Sequence, residues 1–124
     1  MSHPDESDFV YAVEFSDPAK AEADAAYLWL GRNNPAFAQQ WYGGLFLEAQ
    51  KLSLFPKSRP LAPENELFDV EVRQALYRRG RTTYRILFFL VDADGDGRED
   101  AARILHVLHS ARPPLERDRE PEEE

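Results

Sequence analysis

Cysteine is absent from this 124-residue chain, which excludes a disulfide framework and a thiolate nucleophile. Long apolar runs are also missing: none approaches the ~20 residues of a membrane span. The N-terminal MSHPDESD lacks a basic end followed by an apolar core, so no secretory signal is expected and the reading is cytoplasmic, without membrane association. The sequence has no G-x-S-x-G, H-E-x-x-H or phosphate-cradling P-loop, and the common hydrolase and nucleotidase signatures go with them. No cofactor is expected.

Negative charge is plentiful, but it is held at the ends. Of the formal −8, Asp5, Glu6 and Asp8 contribute −3 and residues 116–124 contribute −4, which leaves −1 for residues 9–115. Acidity therefore says little about the folded surface. The expected organisation is a disordered stretch at 1–8, one domain at 9–113, and an acidic disordered tail at 114–124.

Phe9 to Phe15 (FVYAVEF) is apolar at nearly every position and predicts a buried first strand. Ser16-Asp17-Pro18 supplies an N-cap with proline in the first turn of a helix that Gly31 should stop, with Ala19, Ala23, Ala26, Tyr27 and Leu30 on one face. Asn34-Pro35 restarts a helix running to Pro56, with Phe37, Trp41, Leu45, Leu52 and Phe55 as its core stripe. The Gly43-Gly44 pair inside it permits either close packing or a kink. Short linkage makes the two helices an antiparallel hairpin. After a proline-rich loop from Pro56 to Leu67, three strands are predicted at Val70–Tyr77, Thr82–Val91 and Ala102–His109, the middle one central. The fold class is α+β, in the order β-α-α-β-β-β, with the helical hairpin on one face of a small, mainly antiparallel sheet.

Five arginines, Arg73, Arg78, Arg79, Arg81 and Arg85, fall in an interval that contains no acid. Arg78, Arg79 and Arg81 suit a solvated turn. Arg73 and Arg85 sit inside strand-like runs, where a charge must be paired, extend outward or bind an anion. A three-residue loop at Arg78–Gly80 would oppose Arg73 with Arg85 and place both on one face. A two-residue Arg79-Gly80 turn would separate them. The first is expected, with Arg112 completing an anion- or acid-receptive site and Arg85→Ala costing little stability.

VDADGDGRED places Asp92, Asp94, Asp96, Gly97 and Asp100 at calcium-loop spacing, but Arg103 stands where a bidentate glutamate belongs and strands flank the segment. It is expected to be a connecting turn, with no required metal. His106 and His109 have odd spacing on one strand and should not share a ligand. Tyr27, Trp29, Trp41, Tyr42 and Phe46 exceed what one stripe hides, which leaves a partner groove, a homodimer contact or a second core layer as readings.

FVYAVEFSDPAKAEADAAYLWL, NNPAFAQQWYGGLFLEAQKL, EVRQALY, YRILFFLVD and RILHVLHSARP occur in this order over residues 9–113. Together they resemble the RelE/ParE superfamily of toxins from type II toxin–antitoxin (plasmid stabilisation) systems. The resemblance implies a growth-inhibiting toxin wrapped by a cognate antitoxin through an extended or helical segment. Some such toxins cut messenger RNA on the ribosome and others poison DNA gyrase. On the RNA-cutting reading the resemblance assigns the catalytic set to Arg73, Arg85, His109 and Arg112. RNA cleavage by the 2′-OH needs phosphate-facing cations, a proton acceptor and a proton donor. The chain departs from the RNA-cutting pattern: PPLERDREPEEE after Arg112 offers neither Tyr nor Lys, and a near-neutral domain is poorly suited to ribosomal RNA. The expected branch is therefore ParE-like and gyrase-directed. A ribosome-dependent endoribonuclease is the alternative, and a non-toxic interaction domain of the same fold the third.

Overall fold

The computed structural model describes residues 9–115. The expectations of disorder at 1–8 and along 116–124 lie outside the described residues, whereas Leu115, assigned above to the tail, is held by a hydrogen bond from its N–H to Glu64 Oε2 (2.9 Å). Four strands, β1 (Ala12–Phe15), β2 (Arg73–Arg79), β3 (Thr82–Val91) and β4 (Ala101–His109), and two helices, α1 (Asp17–Gly31) and α2 (Pro35–Gln50), make an α+β fold. The sheet order is β1-β4-β3-β2. The β1–β4 pair is parallel and the other two pairs are antiparallel.

Local chemistry sets the helix starts. Ser16 Oγ accepts the Ala19 N–H (3.1 Å) and Asn34 Oδ1 the Phe37 N–H (3.1 Å), with proline in each first turn. Gly31 does not stop α1 by a left-handed turn; it is the last helical residue, and its α-carbon faces the Ala38 Cβ. α2 ends at Gln50 rather than continuing to Phe55: a short 3₁₀ turn follows, and the Ser53 carbonyl accepts the Tyr11 N–H (2.8 Å). Phe55 precedes Pro56, which disfavours helix, and takes a positive φ of 53°, leaving its ring 45% exposed instead of in the core.

The first strand is shorter than FVYAVEF suggested and lies at an edge, with Val10 exposed. Its end leaves the rest of β4 without a neighbour, and α1 supplies the missing groups. Ser16 N–H donates to the Ile104 carbonyl (2.9 Å) and Ser16 Oγ to that of Leu105 (3.0 Å). Glu22 then accepts the Val107 N–H (2.8 Å) and contacts His106 Nδ1 (2.9 Å). Leu105 is a bulge residue, skipped between the Leu87–His106 and Phe88–Ile104 pairs.

β3 is central, as its two-sided apolar pattern required. Tyr84, Ile86 and Phe88 face the helices and pack with Ala19, Ala23, Trp41, Leu45 and Leu52, while Leu87 joins Ala62, Val72 and Leu108 on the other side. Each fully buried large apolar side chain here contributes about 1.5–3 kcal/mol. The Gly43-Gly44 question resolves as close packing: Tyr77 donates its hydroxyl to the Trp41 carbonyl (2.8 Å), and that hydroxyl occupies the space a Gly44 Cβ would need.

The β2–β3 turn corrects the expected register. Arg79 pairs with Thr82 and Tyr77 with Tyr84, so the loop is the two residues Gly80-Arg81. Gly80 has φ +60° and Arg81 has no positive φ, the arrangement in which glycine takes the first central position of a type II′ turn. Arg73 consequently opposes Phe88, and Arg85 opposes Leu76. Strand alternation puts Arg73 and Arg85 on opposite faces, so the shared-face geometry is excluded.

Candidate functional site

Arg85 is the second correction. Its guanidinium makes a bidentate pair with Glu64 (Nη1–Oε1 3.0 Å, Nη2–Oε2 2.6 Å) and donates also to Gln74 Oε1 (3.0 Å). The side chains are 9% and 0% exposed. Burial alone would raise the Glu64 carboxyl. The Arg85 guanidinium, the Leu115 N–H and its own backbone N–H outweigh burial and hold it below its ordinary 4.5. Arg85 is thus an internal cation that ties the 3₁₀ segment Pro63–Leu67 and the C-terminal arm to the sheet, not a group open to an incoming phosphate.

Arg73 lies elsewhere. It donates to the Arg59 carbonyl (2.7 Å) and pairs with Glu71 (3.1 Å). With Lys57, Phe89 and Glu99 it lines a cavity of about 330 Å³. That cavity meets β3 at Phe89 and Leu90, whereas His109 pairs with Tyr84 toward the hairpin end. Five residues of strand correspond to about 17 Å. The four arginine and histidine positions assigned by the resemblance are therefore not brought together.

At the hairpin end, His109 stacks edge-on against Tyr84 (centroids 5.1 Å apart), and with Trp29 the two line a shallow cavity of about 330 Å³. The Ala111 N–H donates to His109 Nδ1 (3.0 Å). In the neutral ring this bond puts the proton on Nε2, so the outward nitrogen is a donor rather than a general base. Burial raises the Tyr84 phenol, which keeps it protonated as well. Arg112 follows in the turn, its N–H donating to the His109 carbonyl (2.9 Å). His106 faces Glu22 and does not converge with His109.

Arg78, Arg79, Arg81 and Arg112 have no carboxylate partner among the described residues. They surround the tip of the hairpin, where Phe37 of α2 packs against Gly80. The outer edge of β2 is covered only at its start, by the Gln74 N–H to Pro60 carbonyl bond (3.0 Å) and the Ala62 N–H to Val72 carbonyl bond (2.8 Å). Alternation then directs the backbone groups of Leu76 and Arg78 outward, and neither has a partner there among the described residues. Leu76 itself is 50% exposed. Such an edge accepts an added strand.

The helical hairpin splits its aromatics between core and surface. Trp41 is fully buried, while Trp29 is 58% exposed. Phe15, Phe46, Tyr42 and Tyr27 form a row with centroid separations near 5.0 Å, and Tyr42 donates to Asp24 (2.6 Å) beside an apolar groove of about 620 Å³. Tyr27 and Tyr42 are half-buried and line that groove, Phe46 is half-buried beside them, and Trp29 is at the surface; the expected second layer under the C-terminal segment is not seen among the described residues, because Leu115 packs on the opposite face of the sheet.

The aspartate segment is the turn between β3 and β4. Asp92 accepts the N–H groups of Gly95, Asp96 and Gly97, Asp94 that of Asp96, and Asp100 that of Ala93. The carboxylate oxygens of Asp92, Asp94, Asp96 and Asp100 lie within 4.8 Å of one another. A hydrogen bond to Asp100 raises Asp94, and the Ala93 N–H lowers Asp100.

Sequence reasoning missed Glu64 and Glu22. The only available signal for Glu64 was the requirement that Arg85, inside an apolar strand, have a partner somewhere. Among the described residues no helix is long and apolar enough to cross a membrane. No family model matches the chain, and comparison with curated proteins finds no match.

Proposed function

We propose that this chain is a RelE/ParE-type toxin of the ParE-like kind, which arrests growth by binding a cellular target and is neutralised by a cognate antitoxin. The resemblance names DNA gyrase as the target. One observation carries the choice of binding over RNA cutting: Arg85, the cation the resemblance would offer to phosphate, is engaged by Glu64 inside the molecule. His109 and Arg112 then stand without Arg73 or Arg85 beside them, and His109, its Nδ1 engaged by the Ala111 N–H, offers a proton donor but not the proton acceptor that cleavage also needs. The element order and the hairpin-on-sheet layering support the family reading. The β2 edge at Leu76 and Arg78, open among the described residues and next to arginines that have no carboxylate partner there, suits an extended acidic antitoxin segment.

The test is induced expression of the chain and of a His109→Ala/Arg112→Ala variant. Expected are a DNA-damage response, continued early protein synthesis, and undiminished toxicity of the variant. Immediate translational arrest that the variant abolishes would instead establish the endoribonuclease reading, for which the His109, Tyr84 and Trp29 cavity is the supporting feature. No growth effect at all would leave the interaction domain.

A further inference from the structure

β3 outruns the strand beside it. β2 begins at Arg73, opposite Phe88, so Phe89, Leu90 and Val91 run on without a β2 partner. The Val91 carbonyl accepts the Asp100 N–H on the β4 side (2.8 Å), and strand alternation then turns the N–H and C=O of Leu90 to the side that β2 has left. Neither group has a backbone partner there among the described residues. The cavity beside Arg73, of about 330 Å³, occupies this overhang. Its size is at the small end for ligand sites, about 300–1,000 Å³.

Four charged side chains line the cavity, two of each sign, so it carries no net charge. They are unequally held. Arg73 is 18% exposed and fixed by the Arg59 carbonyl (2.7 Å), whereas its partner Glu71 is 70% exposed. Lys57 and Glu99 face each other at 3.6 Å, both half exposed. Exposed pairs of this kind hold each other weakly, so an incoming ligand separates them at little cost. The guanidinium of Arg73 still has N–H donors to spare beyond its bonds to Arg59 and Glu71. Phe89 and Val70 add an apolar wall. A simple anion entering here meets two carboxylates, and a simple cation meets Arg73 and Lys57. A ligand with one charge of each sign finds an opposite partner for both.

We propose that this cavity binds a free α-amino acid with an apolar side chain. The ligand carboxylate lies between Arg73 and Lys57, its ammonium between Glu71 and Glu99, and its side chain against Phe89 and Val70. The planar fork of Arg73 suits a carboxylate. The open N–H and C=O of Leu90 offer one more donor to the carboxylate and one more acceptor to the ammonium. Binding exchanges two internal ion pairs for contacts to both ligand charges, and no net charge is buried. Deleting either ligand charge leaves a like-signed pair of side chains unmatched, which should weaken binding at least about tenfold. The site does not depend on the toxin reading.

The probes are free leucine, valine and phenylalanine, titrated in turn into the full-length protein and followed by backbone amide shifts. At least one should give saturable shifts at Glu71, Arg73, Phe89 to Val91 and Glu99, at about millimolar concentration or below. Its N-acetyl and amide derivatives, each lacking one charge, should bind at least about tenfold more weakly. Glu71 and Glu99 are exposed enough to replace without disturbing the fold. Glu71→Gln/Glu99→Gln should therefore invert the order, so that the N-acetyl derivative binds more tightly than the amino acid. No saturable shift with any of the three overturns the proposal. So does a parent protein that binds either derivative as well as the amino acid, or an order unchanged in the double variant. A dipeptide that binds more tightly than its free amino acid assigns the cavity to a chain end and overturns it equally.

Discussion

Replacing Arg85 by methionine keeps most of the side-chain volume and removes the charge, so it isolates the buried pair with Glu64. Glu64 is wholly enclosed and Arg85 nearly so. Removing one partner of such a pair costs about 3–5 kcal/mol, because the other charge is left without compensation. Against a typical total of about 5–15 kcal/mol this is a large fraction. At about 4 °C per kcal/mol for a domain of this size, the melting temperature should fall by roughly 12–20 °C. The expectation that Arg85→Ala would cost little stability is corrected accordingly. The pH dependence provides an independent check. In the parent protein Glu64 is held below 4.5; its contribution is present above that ordinary value and is lost as pH falls through the folded one. In Arg85→Met the guanidinium is gone and burial raises Glu64 instead. That stabilising share is present below 4.5 and lost as pH rises, so the deficit of the variant should shrink on going from about pH 7 to about pH 4. Urea unfolding followed by circular dichroism at several pH values measures both. Arg85→Met/Glu64→Leu, which leaves no buried charge, should recover part of the loss. A deficit under about 1 kcal/mol with no pH trend would refute the argument.

The adjacent glycines of α2 should respond in opposite directions. Gly44→Ala meets the Tyr77 hydroxyl and should destabilise by about 1–3 kcal/mol, whereas Gly43→Ala enters open space and should stabilise by about 0.5–1 kcal/mol; thermal unfolding of the two variants decides it. For the Asp92–Asp100 turn, whose carboxylates already accept backbone N–H groups, calorimetric titration should find no calcium binding tighter than about millimolar. Micromolar binding, with a stability gain that a chelator reverses, would contradict this.

Much of the architecture was legible in local pattern. Ser16 and Asn34 announce the helix starts, because a cap joins residues three apart and needs nothing from the rest of the molecule. The run from Tyr84 to Leu90 announces a central strand through its two apolar faces. The stripe of Trp41, Leu45 and Leu52 was likewise readable from period alone. Local pattern also marked the basic hairpin tip and the absence of hydrolase signatures.

Other features depended on partners that spacing does not name. The apolar run of β1 predicts a buried strand, but its place at the edge follows from a parallel pairing with β4 across most of the chain. Arg85 and Glu64 are 21 residues apart, and Gly44 and Tyr77 33 apart; nothing local links either pair. The choice between Gly80-Arg81 and its neighbours as the turn shifts the register and decides which face every β2 side chain takes. Sequence thus determined the order of helices and strands and where the helices start, since caps and periodicity act within a few residues. Tertiary structure alone decided whether Arg85 is a site or a support, because the free energy of a buried charge is set by the group that meets it across the fold.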